Sequence, residues 1–142
     1  MARFKLDPVL KVRQLQEKKY KKELAEIKVI RENAEKLLED LESEKERQIE
    51  NMEIEDKIKA IDLQVQYAYL NTIAEQVERQ KNALEKILKE EEKRRDILLR
   101  TNQNKQMIEK LKQKFIDDIL KDLHKKEQTL LDSLAHRAIL KR

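Results

Sequence analysis

The chain has 142 residues, of which 44% are charged, with no cysteine, no glycine and a single proline, and it carries a net charge of +4. That composition excludes a disulfide framework, a thiolate nucleophile, a Cys-based metal site and a glycine-built phosphate cradle. Aromatics are only 4%, and Leu, Ile, Val and Ala recur at helical spacing, so burial is expected helix against helix rather than in one broad core.

The charge is unevenly spread. Residues 1–22 hold eight Lys/Arg against two Asp/Glu, and residues 23–62 hold seven against fourteen. Residues 63–104 are near balance, at eight against seven, and residues 105–142 are basic again, at ten against six. The opening Met1-Ala2-Arg3-Phe4-Lys5 lacks the apolar run of a signal peptide. The longest uncharged stretch, Leu63 to Ala74, falls short of the roughly 20 apolar residues needed to span a bilayer. A reducing cytoplasm suits the cysteine-free chain.

Asp7-Pro8 predicts a helix start, with Asp capping free amides and Pro at the first helical position. After it, Leu24, Ile27, Ala34, Leu38 and Leu41 recur at alternating three and four spacing, the stripe that one helix presents to another. From Leu63 onward the stripe is Leu63, Leu70, Val77, Leu84, Ile87 and Leu98, in a different phase. Between them Ile54, Ile58, Ile61 and Val65 follow a third phase, inside an acidic stretch from Ser43 to Asp62.

A seam that loses phase in a polar stretch predicts a reversal, with Asn51, Asp56 or Asp62 as turn or cap residues. The reading is all-α: a long antiparallel two-helix coiled-coil hairpin, one unit over 1–142, with helices about 8–52 and 62–139 and a turn within about 50–62. A stutter in one uninterrupted helix, dimerised with a second chain, is the alternative.

A turn near residue 56 sets Pro8 opposite residue 104, so residues 105–140 project past the first helix. The projection carries Ile108, Leu111, Phe115, Ile119, Leu123, Leu130 and Leu134 at mostly three-to-four spacing, a stripe that implies a partner. Val65, Tyr69 and Ile73, continuing into Gln76 and Gln80, form a second stripe near the turn. Aromatic residues beside amides favour a protein contact there over a wider seam.

No constellation for catalysis emerges. His124 and His136 are twelve residues apart with no clustered ligand set, and Glu90-Glu91-Glu92 reads as a solvated helix face. Lys18-Lys19-Tyr20-Lys21-Lys22 and Lys93-Arg94-Arg95 are flanked by Glu17 and Glu23 and by Glu90 to Glu92, unlike a basic helix that enters a nucleic-acid groove. The expectation is a non-enzymatic protein with no metal or cofactor, no nucleic acid and no transmembrane segment.

Three segments carry a family resemblance. Phe4-Lys5-Leu6-Asp7-Pro8-Val9-Leu10-Lys11-Val12-Arg13, then Tyr67-Ala68-Tyr69-Leu70, then Glu127 to Arg137 with Leu130, Leu131 and Leu134, resemble in order and spacing the flagellar export protein FliJ. Ser133 stands where that family often has Glu.

The resemblance implies a cytoplasmic component of the flagellar type III export apparatus, peripheral to the inner membrane at the flagellar base. It implies a hairpin similar to the central stalk of rotary ATPases, which sits in the pore of the hexameric export ATPase FliI and promotes its assembly. It also implies links to the export gate protein FlhA and to export chaperones. On that basis Val65, Tyr69, Ile73, Gln76 and Gln80 are expected at the gate, and Arg13, Lys18, Lys22, Phe115, Ile119, Leu123, Leu130 and Leu134 at the ATPase ring.

Overall fold

The computed structural model describes residues 3–54 and 60–141. Among them are two helices and no strand: α1, Asp7–Ile54, and α2, Ala60–Leu140. The helices pack as the expected hairpin with the second helix longer. The chain is built for this, since Leu, Glu, Lys, Gln, Arg and Ala are strong helix formers and no glycine interrupts them. Same-helix pairs such as Glu85–Lys89, Glu90–Arg94 and Glu91–Arg95 put the acid four residues before the base, the favourable order along a helix.

α1 begins one residue earlier than expected. The Leu10 N–H donates to the Leu6 carbonyl at 2.8 Å, so Pro8 occupies the second helical position, still in the turn whose amides have no intrahelical acceptor. The Asp7 carboxylate, expected as a cap, lies 2.8 Å from Lys112 Nζ on the facing helix. Asn51 lies inside α1 and Asp62 inside α2, so neither is a turn residue. Asp56 and Ile58 fall outside the described residues, as does the Ile54 side chain.

The chain divides into two compact units, residues 19–98 and residues 1–18 with 99–142. In the first, Leu24, Ile27 and Ala34 are buried and Leu38 and Leu41 half-buried, as the α1 stripe predicts. The same spacing continues through Lys45, Gln48 and Met52, all half-buried. The helix therefore keeps its phase where the apolar pattern fades, because polar side chains take the seam positions. Ile61 and Val65 of the third stripe are exposed.

On α2 the seam runs through Leu70, Ile73, Val77, Gln80, Leu84 and Ile87, and then through the charged Glu91 and Arg94. Arg94 Nη1 donates to the Glu23 carbonyl at 2.8 Å, and Lys81 Nζ lies 3.9 Å from Glu42. Higher α1 numbers meet lower α2 numbers, which makes the pair antiparallel.

In the second unit Leu10 is buried, with Arg13 half-buried and Glu17 nearly enclosed. Glu17 Oε2 lies 2.7 Å from Lys105 Nζ, and the Phe4 and Phe115 rings are 5.5 Å apart at 40°. With Asp7 opposite Lys112, the register is displaced from the expected match of Pro8 with residue 104. Ile108, Phe115 and Ile119 consequently pack half-buried in the unit instead of projecting bare. The bare part of α2 begins at Leu120, and every described residue from there to Lys141 is exposed, about 30 Å of helix.

Candidate protein-contact surfaces

The stripe expected as one outward face near the hairpin tip is split by the fold. Val65, Tyr69 and Gln76 are exposed, and the Tyr69 hydroxyl donates to Glu44 Oε1 at 3.3 Å. Ile73, at 3% exposure, instead belongs to the seam. Gln80 is half-buried, with Nε2 donating to the Ala34 carbonyl at 3.3 Å. The reason is periodicity: residues 73 and 80 are one heptad apart on the line that includes Ile87 and Arg94, so they turn toward α1 together.

A shallow groove of about 450 Å³ runs beside them, lined by Leu37, Leu41, Gln76, Arg79, Gln80 and Ala83. Gln76 and Arg79 hold exposed donors over an apolar floor there, a combination suited to contact with another protein.

The residues expected at the ATPase ring also differ in their surroundings. Arg13 Nη1 donates to Gln16 Oε1 at 3.0 Å, while its Nε is buried without a hydrogen-bond partner. Lys18 is exposed, as are Leu123, Leu130 and Leu134 on the bare part of α2. Phe115 and Ile119 are packed within the unit. Lys22, exposed, belongs to the other unit. Leu120, Leu123, Leu130 and Leu134 keep three-to-four spacing with Glu127, whereas the seam positions that would continue from Phe115 and Ile119 are the polar Asp122, Lys126 and Thr129. The bare stripe is thus rotated off the seam line and forms a separate face.

Two features escaped the sequence reading. One is the charged seam. Glu91 is 4% exposed, with Arg31 Nε 2.6 Å from its Oε2 and Arg95 Nη2 3.2 Å from its Oε1. Arg31 also reaches Glu35 at 3.1 Å, and that hydrogen bond, with Glu91 adding, raises the guanidinium pKa. Lys105 is raised likewise, chiefly by its hydrogen bond to Glu17. Acid and base at matching seam positions were the available signal.

The other is a groove of about 340 Å³ at the tip, lined by Ile49, Met52, Leu63, Tyr67 and Leu70. It forms because Ile49 and Tyr67 stand outside the seam that Met52 and Leu70 enter.

Among the described residues no group of three or more His, Cys, Asp or Glu could hold a metal ion, and no helix is long and apolar enough to cross a membrane. The two helices and their seam define a two-helix antiparallel coiled coil.

Comparison with known proteins identifies which such coiled coil it is. The model of the family described as flagellar FliJ protein matches residues 1–142, and the chain belongs to that family. It is a component of flagellar protein export. Neither the comparison with curated proteins nor that with solved structures gave a match.

Proposed function

We propose that the chain is a non-enzymatic central stalk of the flagellar type III export apparatus, inserting in the hexameric export ATPase, promoting its assembly, and linking it to the export gate. The observation that carries this reading is the bare end of α2, which lies past the packed register and exposes Leu123, Leu130 and Leu134 beside Lys125, Lys126 and Arg137. A basic helix with an apolar stripe suits a protein cavity lined by acids and carbonyls, charge guiding entry and the stripe holding position. Arg13 and Lys18, with Lys22, add positive charge to the ring contact, and Phe115 and Ile119 stiffen its root.

The gate contact is assigned to Tyr69, Val65 and Gln76, with Ile73 and Gln80 shaping the face from the seam. Coupling needs no bond chemistry in the stalk. A helix pair that contacts ring subunits unequally shifts the relative stability of their conformations, and its other contact biases the gate. Export chaperones are further partners of this reading, which places the protein in the cytoplasm, peripheral to the inner membrane at the flagellar base.

The test is ATPase stimulation and hexamer assembly with the export ATPase of the same organism, comparing the full chain with a chain ending at Ile119. Stimulation lost on truncation, with binding to the gate protein kept, supports the stalk. A full chain that neither binds nor stimulates, and that sediments as a stable dimer, makes it a self-associating scaffold instead.

A further inference from the structure

We propose that the hairpin tip captures a basic amphipathic helix of a partner protein in the groove of Ile49, Met52, Leu63, Tyr67 and Leu70. This surface is separate from the gate face, because Tyr67 and Tyr69 are two residues apart and therefore point to different sides of α2. Met52 and Leu70 form a half-buried floor, and Ile49, Leu63 and Tyr67 form exposed walls. Exposed Ile61 and Val65 lie close by in sequence, so apolar surface is concentrated at this end of α2.

Charge selects the occupant. From Ala60 to Glu78 α2 carries no Lys or Arg, but it has Asp62, Glu75 and Glu78, all exposed. On α1, Glu46 and Glu50 are exposed, and Glu46 stands one turn before Ile49. Of the described cations near the groove, Arg47 pairs with Glu44 and Lys45 is half-buried at a seam position, while Lys57 and Lys59 lie outside the described residues. The tip therefore lies in the acidic part of a chain whose net charge is +4, and it attracts a cationic segment that the basic residues 1–22 and 105–142 repel.

Backbone geometry selects the form. Both walls are helical, and among the described residues the groove has no strand edge to which a strand could be added. An amphipathic helix laying its apolar side chains between α1 and α2 is the mode left.

The probe is a fluorescent peptide of about 18 residues with Leu and Lys in helical amphipathic order, compared with the same order in Leu and Glu and with a scrambled Leu/Lys peptide. Anisotropy with the full chain is expected to show the amphipathic basic peptide binding at least about tenfold more tightly than either control. Ile49→Ser with Tyr67→Ser weakens it by roughly tenfold. Glu46→Lys with Glu78→Lys weakens it and flattens its salt dependence. Glu26→Lys with Glu32→Lys, away from the groove, leaves it unchanged, and circular dichroism checks that helicity is kept throughout.

No binding of the basic peptide, equal binding of the acidic or scrambled peptide, or undiminished binding by the groove variants overturns the proposal. The bare basic end of α2 has the same chemistry as the probe. A concentration-dependent dimer that Ile49→Ser with Tyr67→Ser abolishes therefore gives the groove to a second copy and overturns the assignment to a partner.

Discussion

Arg31 Nε and Glu91 Oε2 meet at 2.6 Å across the seam of the 19–98 unit, at positions that leucine or isoleucine fills elsewhere along the same lines. A buried ion pair is weak evidence of stability, because desolvating both charges offsets much of their attraction. Removing one partner is different, since Glu91→Ala leaves Arg31 at a seam position with only Glu35, among the described residues, to compensate its charge. Glu91→Ala is expected to lower the melting temperature by roughly 5 °C, while Arg31→Leu with Glu91→Leu leaves it unchanged or raises it. Thermal melts followed by circular dichroism check both. If the pair fixes alignment, disulfide trapping of cysteines placed along the two helices shows mixed registers in the double-leucine variant and one register in the parent.

The Lys105–Glu17 pair gives the hairpin a pH signature. The folded pKa of Lys105 is raised above the ordinary 10.5, chiefly by its hydrogen bond to Glu17, so the pair's contribution is fully present below about 10.5. It is lost as pH rises through the folded value, where the ammonium deprotonates. The stability gap between the parent and Lys105→Met should therefore stay constant from pH 7 to about 10 and close above that. Urea titrations at matched pH measure the gap, and closure on the acidic side of neutrality without closure above pH 10.5 contradicts the assignment.

Much of this architecture was readable because Leu24, Ile27, Ala34, Leu38 and Leu41 are apolar at heptad spacing, and so are Leu70, Val77, Leu84 and Ile87. Composition could not separate loss of apolar pattern from loss of helix phase. Lys45 and Gln48 hold seam positions as polar residues, and they mimicked a reversal that α1 has not yet made. The register error had the same root: pairing residues about a midpoint at 56 shifts every facing pair, and only contacts such as Phe4–Phe115 reveal it. At the candidate contact face, Tyr69 and Gln76 were legible as surface. Ile73 and Gln80 were not, because one residue on a helix moves a side chain by about 100° and the α2 seam is broad enough to include them.

That misplacement changes which substitutions can test the gate contact. Ile73 is 3% exposed, so Ile73→Ala should cost about 2–4 kcal/mol of hairpin stability. Val65 is 63% exposed, and Val65→Ala should stay within about 0.5 kcal/mol of the parent. Chemical unfolding measures both. Loss of gate binding by Ile73→Ala therefore reports unfolding as readily as contact, whereas loss by Val65→Ala with Tyr69→Ala reports the surface itself.

The corrected register makes its sharpest prediction about where α2 can be cut. Lys112 reaches Asp7 of α1 and Phe115 packs on Phe4 just before it, with Ile108 and Ile119 half-buried, whereas every described residue from Leu120 onward is exposed. A chain ending at Ile119 loses helical signal in proportion to its missing residues. It should melt within about 2 °C of the full chain, because no cross-helix contact has been removed. A chain ending at residue 104 strips the packing from Phe4, Asp7, Leu10 and Glu17, so the first turns of α1 should fray. Amide exchange resolves the difference. Residues 10–17 should be protected in the full chain and in the chain ending at Ile119, and should exchange freely in the chain ending at 104, while residues 24–41 remain protected in all three. Equal protection of residues 10–17 in all three chains would return the register to the one in which residues 105–119 have no partner in their own chain.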